Sequence, residues 1–202
     1  MLKKRGIIWT AIILAVFLIF YFDVQIVKGI SLINNAVLND FFLGITFISS
    51  EIIIFFFLTS LFLWHEHKRK WILPLWITLG TVVVISFLLK VLVHRLRPFQ
   101  IGIVSILPSL ESTSYLIWNF SFPSFQSMLA FCAIPILSKE FPKFKYIWII
   151  LASLIAFSRV YFGLHFMSDV LVGGIIGYLI GVGIIKIENK TKFGERIWKR
   201  VF

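Results

Sequence analysis

The chain has 202 residues, of which 59% are hydrophobic, 17% aromatic and only 14% charged, and its mean hydropathy is +0.97. This composition supplies too little polar surface to coat a soluble globule, so it excludes a water-soluble domain and predicts an integral membrane protein. The net charge of +11 is therefore interpreted first as a sign of membrane topology, and no nucleic-acid partner is expected. The single cysteine, Cys132, permits neither an internal disulfide nor a cysteine-based zinc motif.

Six apolar stretches approach the length of about 20 residues that a helix needs to cross the hydrocarbon core. The chain shows no internal repeat or linker, so we predict one domain, residues 1–202, built as an all-α bundle of six transmembrane helices. The segment VKGISLINNAVLND, between the first two helices, suits either an interfacial helix or a plain loop. The predicted spans are 6–22, 41–64, 71–89, 120–138, 146–164 and 170–185.

The basic residues divide this bundle into two ends. Fifteen of the 20 lysines and arginines lie in the N-terminus, the second and fourth connections and the C-terminal tail, which share one side of a six-span bundle. Because positive residues accumulate on cytoplasmic loops, we predict a multi-pass cell-membrane protein with both termini in the cytoplasm. The five remaining cations lie on or near the opposite face, and they are Lys28, Lys90, Arg95, Arg97 and Arg159. Charges at membrane depth are costly, so the four of them that cluster around the third and fifth helices indicate a functional site.

Three of these cations are spaced to meet one anion. Lys90 and Arg97 are seven residues apart, about two helical turns, so they share a face if the third helix continues that far. Arg159 joins them from the end of the fifth helix. Phosphate is the natural ligand, because guanidinium groups bind its oxygens in bidentate fashion. Ser124, beside a helix opening after Pro123, adds free backbone N–H groups suited to the same anion.

The stretch SRVYFGLHFMSD, residues 158–169, adds chemistry to this anion site. A neutral imidazole such as that of His165 can attack phosphorus. A carboxylate such as that of Asp169, bonded to the other ring nitrogen, fixes the tautomer and stabilises the positive charge that develops. These residue types therefore supply the groups that nucleophilic attack on a bound phosphate requires.

The chain resembles the type 2 phosphatidic acid phosphatase superfamily of membrane lipid phosphatases. KVLVHRLRP matches its K-x6-R-P motif, SRVYFGLHFMSD matches S-R-x5-H-x3-D, and PSFQ stands in the place of P-S-G-H. The resemblance implies a site that faces away from the cytoplasm and uses neither a metal nor another cofactor. It also implies that His165 is the nucleophile, forming a phosphohistidine, and that Asp169 orients it. The phosphoryl group would be held by Lys90, Arg97, Ser124 and Arg159.

The middle motif departs from the family at two positions, where Phe125 replaces the glycine and Gln126 replaces the histidine. In the family that histidine protonates the leaving oxygen, a role that contributes about 10²- to 10⁴-fold to the rate. Glutamine donates a hydrogen bond but has no proton to give. His94 is one alternative source of the proton. Glu51, near the middle of the second predicted helix, is expected to be protonated or hydrogen-bonded inside the bundle.

This departure leaves two functions open. In the first, the protein is a phosphatase that hydrolyses a lipid phosphate or diphosphate, with polyprenyl diphosphate favoured because a phosphate monoester leaves more easily than an alkoxide. In the second, it binds a lipid phosphate without turnover, as a sensor, carrier or regulator. A small transporter is disfavoured, since the sequence has no inverted repeat and concentrates its charges at one face. The expected partners are the lipid substrate and membrane lipids, and the sequence predicts no oligomeric state.

Overall fold

The computed structural model describes residues 2–107, 110 and 120–201, and throughout this part of the chain the regular elements are helices, as the all-α prediction requires. Short 3-10 helices at Glu66–Trp71 and Pro142–Phe144 precede two of the long helices. The α-helices are α1 (Leu2–Ser31), α2 (Ala36–Ile48), α3 (Glu51–Trp64), α4 (Ile72–Val93), α5 (Phe125–Glu140), α6 (Lys145–Tyr161), α7 (Met167–Thr191) and α8 (Phe193–Val201).

Three helical segments are long and apolar enough to cross a membrane, namely Glu66–Val93, Pro142–Tyr161 and Met167–Thr191. A fourth candidate arises if α2 and α3 are taken together as one bent span. The predicted span 6–22 lies inside α1, and the predicted span 120–138 overlaps α5, which has 16 residues. The described part of the chain thus has three or four candidate spans, and the count of six stays a prediction.

The prediction of one continuous helix over 41–64 is wrong, because α2 and α3 meet at an angle of 63°. Ser49 ends α2 by donating its backbone N–H to the carbonyl of Ile45. Ser50 then begins α3 as its N-cap, with its hydroxyl accepting from the backbone N–H of Ile53 at 3.5 Å. Serine is a preferred N-cap because its side-chain oxygen satisfies a free N–H of the first turn. The break places Glu51 in the first turn of α3 rather than in mid-helix.

The third predicted helix ends before Arg97, so Lys90 and Arg97 do not share a face of one helix. His94 has a left-handed backbone conformation, with φ 51° and ψ 30°, and its N–H bonds the carbonyl of Lys90 at 3.1 Å. A residue in this conformation is a common end of an α-helix. Arg95 and Arg97 therefore lie in the segment that follows α4, where the backbone turns.

The tightest packing in the bundle joins α7 to α5. Four glycines of α7 face α5, and a Cβ atom built on Gly177 would collide with the backbone of Met128. Small residues allow helix backbones to approach closely in membrane proteins. The same packing brings the first residues of the two helices together, with the N–H of Ser124 donating to the carbonyl of Asp169 at 3.1 Å. The glycines are Gly173, Gly174, Gly177 and Gly181.

Candidate active site

The predicted site residues gather at one end of the bundle, where α4 and α6 end and α5 and α7 begin. Four of them line a cavity of about 300 Å³ together with Glu51, namely Arg97, Gln126, Arg159 and His165. A second cavity, of about 340 Å³, is lined by Lys90 and Phe125 and shares Glu51, Arg97 and Gln126 with the first. Ser124 and Asp169 are buried where α5 meets α7, beside these cavities.

His165 is held in one tautomer by the backbone. Its Nδ1 atom lies 2.7 Å from the carbonyl oxygen of Ser121, and because a carbonyl can only accept a hydrogen bond, Nδ1 must carry the proton. The lone pair of Nε2 then accepts a hydrogen bond from Nη1 of Arg97 at 3.4 Å. A neutral imidazole with an unprotonated Nε2 is the form that can act as a nucleophile.

The surroundings of His165 keep its imidazole neutral. The side chain is 1% exposed, and burial lowers the pKa of His165 well below the usual 6.5. The positive charges of Arg97, Lys90 and Arg159 lower this pKa further, whereas the hydrogen bond to Ser121 acts in the opposite direction. Burial also lowers the pKa of Arg97, to about 10. This value is still well above neutral pH, and the guanidinium group therefore remains charged. The site therefore combines a neutral ring with a fixed positive charge.

Asp169 reaches His165 through Ser121. Its Oδ2 atom is 3.9 Å from Nδ1 of His165, longer than a hydrogen bond, so the direct bond expected from the sequence is replaced by an indirect one. Oδ2 instead accepts from the hydroxyl of Ser121 at 2.5 Å and from the N–H of Phe166 at 2.9 Å. Ser121 thus binds the carboxylate with its side chain and the imidazole with its carbonyl. Ser121 belongs to none of the three motifs, and no pattern in the sequence marks it as part of the site.

A buried ion-pair network fixes Asp169 from the other side. Arg95 donates to Oδ1 of Asp169 at 2.7 Å and to Oδ2 of Asp23, on α1, at 2.8 Å. Asp23 also accepts from the backbone N–H of Ser168 at 2.9 Å. The guanidinium of Arg95 lies 4.0 Å from the ring centre of Phe166. Asp23 was not predicted either, although an acidic residue at the end of the first apolar stretch is a signal of a buried partner.

Several buried donors in the site have no partner in the part of the chain described here. They include Nε of Arg159 and the hydroxyl of Ser124, which is the N-cap residue of α5 but makes no capping bond. The Nη2 atom of Arg159 does donate to the hydroxyl of Ser49, and Nζ of Lys90 donates to the carbonyl of Phe120. Buried polar atoms without a partner are costly, and an anion with several oxygens would satisfy them.

His94, the alternative source of the proton, and Glu51 are placed differently relative to the cavities. His94 packs its ring edge-on against Phe120, with centroids 4.5 Å apart, and is not part of the described lining of either cavity. Glu51 lines both cavities, and its Oε1 accepts a hydrogen bond from Nε2 of Gln126 at 3.2 Å.

A neutral imidazole lies beside charged and unpartnered donors at one end of an apolar helical bundle, an arrangement that suits a phosphate-like anion. The profile of the PAP2 superfamily matches residues 71–193, and the chain belongs to this superfamily. The resemblance inferred from the three sequence motifs is therefore confirmed.

The chain is similar to two characterised proteins over most of its length. It is 30% identical to phosphatidylglycerophosphatase B of Bacillus subtilis over 84% of this chain and 85% of that protein. It is 28% identical to the undecaprenyl-diphosphatase of Sulfolobus acidocaldarius over 83% of this chain and 79% of that one. These relatives are phosphatases, and a phosphatase of the membrane is the class of protein that fits the chain.

Two crystal structures share the fold. The PAP2-type phosphatidylglycerolphosphate phosphatase of Bacillus subtilis superimposes with a TM-score of 0.69 at 26% identity, over 96% of this chain and 99% of that one. LpxE of Aquifex aeolicus superimposes with a TM-score of 0.65 at 27% identity, over 81% of this chain and 94% of that one.

Proposed function

We propose that this protein is a membrane lipid phosphatase that hydrolyses a lipid phosphate or diphosphate through a phosphohistidine on His165. The observation that carries the proposal is the bond from Nδ1 of His165 to the carbonyl of Ser121, which leaves Nε2 unprotonated, with the lone pair that attack requires. Polyprenyl diphosphate is the favoured substrate, because its leaving group is a phosphate monoester and needs less protonation than an alkoxide.

The proposed reaction has two steps. In the first, the lone pair on Nε2 of His165 forms a bond to phosphorus while the bond from phosphorus to the leaving oxygen breaks. In the second, water attacks phosphorus, the N–P bond breaks, and the electron pair returns to Nε2. Asp169 keeps the Nδ1 proton in place through Ser121 and stabilises the charge on the ring. The cations and donors that hold the phosphoryl oxygens are Lys90, Arg97, Ser124 and Arg159.

We further propose that six helices span the membrane, with the site on the outer face and both termini in the cytoplasm. Basic clusters lie at the opposite ends of the helices that form the site, which supports this orientation. The cluster 68–70 precedes α4, whereas Lys90 is in the last turn of that helix. Similarly, Lys139 is near the end of α5, whereas Gln126 is near its start.

The alternative function, binding of a lipid phosphate without turnover, is favoured by one observation. Gln126 lines the cavity in the position of the family's acidic histidine and has no ionisable proton. A sensor, carrier or regulator would need the cations of the site but not its acid.

A phosphate-release panel on the purified full chain separates these functions. We expect release from farnesyl diphosphate to exceed release from dioleoyl phosphatidate by about 10-fold or more, because the diphosphate depends less on an acid. Phosphatidylglycerol phosphate is the third lipid of the panel. Lipid binding without phosphate release from any of the three would support the alternative function. The absence of both binding and release would contradict both functions.

The pH dependence tests the neutral imidazole. A histidine with a lowered pKa stays unprotonated as the pH falls through 6.5 and loses its nucleophilic lone pair only below its own pKa. We therefore expect kcat/KM, which reports the free enzyme, to have its acid limb well below pH 6.5. The titration of the substrate phosphate is measured separately by phosphorus NMR and divided out. An acid limb at or above the ordinary histidine value would contradict the assignment.

A further inference from the structure

Glu51 places an acidic side chain in the cavity but belongs to none of the three family motifs. It lies in the first turn of α3, directly after the break at Ser49 and Ser50, and its side chain is exposed. It lines the cavity that contains His165 and also the neighbouring cavity that contains Lys90. Glu51 is therefore open to both cavities next to the nucleophile.

The contact of Glu51 with Gln126 connects two distant parts of the chain. Nε2 of Gln126 donates to Oε1 of Glu51 at 3.2 Å. The glutamine stands where the family has its proton-donating histidine, and an amide cannot release a proton. The next group along this hydrogen bond is a carboxyl group, which can. A helix-stabilising role for Glu51 in the first turn would explain its position but not this contact with α5.

We infer that Glu51 is the general acid and base of this site and that Gln126 orients its carboxyl group; the inference rests on the phosphatase function proposed above. A phosphate bound by Arg97 and Arg159 would lie in the cavity that Glu51 and Gln126 also line.

Every proton is accounted for over one turnover. As Nε2 of His165 binds phosphorus, the proton of the Glu51 carboxyl group passes to the leaving oxygen, and Glu51 becomes a carboxylate. In the second step this carboxylate takes a proton from the attacking water while the N–P bond breaks. Glu51 ends protonated, His165 ends neutral, and the products are the lipid alcohol or lipid monophosphate and inorganic phosphate.

Glu51→Gln tests this role with p-nitrophenyl phosphate, whose phenolate leaves without protonation. We expect steady-state turnover to fall about 10²- to 10⁴-fold, while a first burst of about one equivalent of p-nitrophenolate per enzyme remains. The phosphohistidine should accumulate, because the base for the second step is missing. With dioleoyl phosphatidate, whose alkoxide needs the acid, the burst should be lost as well. A merely structural role would lower the burst and the turnover together.

The second variant supplies an ionisable side chain at Gln126, the hydrogen-bond partner of Glu51. Gln126→His in the Glu51→Gln background is expected to recover at least about 10-fold in turnover, because the imidazole replaces the carboxyl group. Glu51→Asp, which keeps an acid, should turn over faster than Glu51→Gln and hold less phosphohistidine per active site, a ratio that does not depend on how much protein folds. The matched control is Glu66→Gln in the 3-10 helix before α4, which should leave turnover unchanged.

The outcomes distinguish this inference from the proposed function. Wild-type turnover in folded Glu51→Gln overturns the role of Glu51 while the phosphatase stands. The same holds if Glu51→Gln is slow but neither accumulates phosphohistidine nor regains turnover with Gln126→His. Wild-type protein that forms no phosphohistidine and releases no phosphate contradicts the proposed function itself.

Discussion

His165→Ala is expected to abolish phosphate release, with a loss of about 10⁴-fold or more, because the variant lacks the atom that attacks phosphorus. The loss should appear in kcat rather than in KM, since Arg97 and Arg159 remain to hold the phosphate. After incubation with ³²P-labelled farnesyl diphosphate and an alkaline quench, wild-type protein should carry label that is stable in base and labile in acid, as a phosphohistidine is. The variant should carry none.

His67→Ala is the control for this experiment, because His67 is exposed in the 3-10 helix at the opposite end of α4. It should retain full label and full turnover. Thermal unfolding in detergent then shows whether His165→Ala keeps its fold, because the substitution removes a buried ring that donates to the carbonyl of Ser121. Label on folded His165→Ala would refute the assignment of the nucleophile.

The sequence reveals the cations and the imidazole because charge is rare in its apolar stretches. Lys90, Arg97 and Arg159 each interrupt or end such a stretch, and their spacing to His165 and Asp169 repeats a family pattern. The structure brings all five to one end of the bundle. Their convergence does not require α4 to continue to Arg97, because His94 ends the helix. Nη1 of Arg97 then donates to the carbonyl of Leu164, in the connection between α6 and α7, at 3.1 Å.

The residues that complete the site are harder to predict, because each is a single residue on a separate segment. Asp23 comes from α1, Ser121 from the segment before α5, and Glu51 from the start of α3. Only tertiary packing brings them to Arg95, His165 and Gln126. Hydropathy does not predict the break between α2 and α3, because the two serines there are too few polar residues to end an apolar stretch. That break nevertheless decides where Glu51 lies.

Gly177→Ala is expected to destabilise the protein by about 1–3 kcal/mol, although alanine normally stabilises a helix by about 0.5–1 kcal/mol relative to glycine. The new Cβ atom would collide with the carbonyl oxygen of Met128, and its carbonyl carbon and Cα are also within 3 Å. Backbone atoms cannot rotate away as a side chain can, so α5 and α7 would have to separate. Thermal unfolding in detergent measures the effect as a lowered Tm.

Gly183→Ala is the matched control, since Gly183 is on the same helix and has nothing within 4 Å of its added Cβ. It should leave Tm unchanged or raise it slightly. Turnover should fall in Gly177→Ala alone, because separating the helices strains the bond from the N–H of Ser124 to the carbonyl of Asp169. Equal Tm values for the two variants would mean that the helices tolerate a wider spacing. The site geometry would then depend on Arg95 and its two carboxylates rather than on the glycine contact.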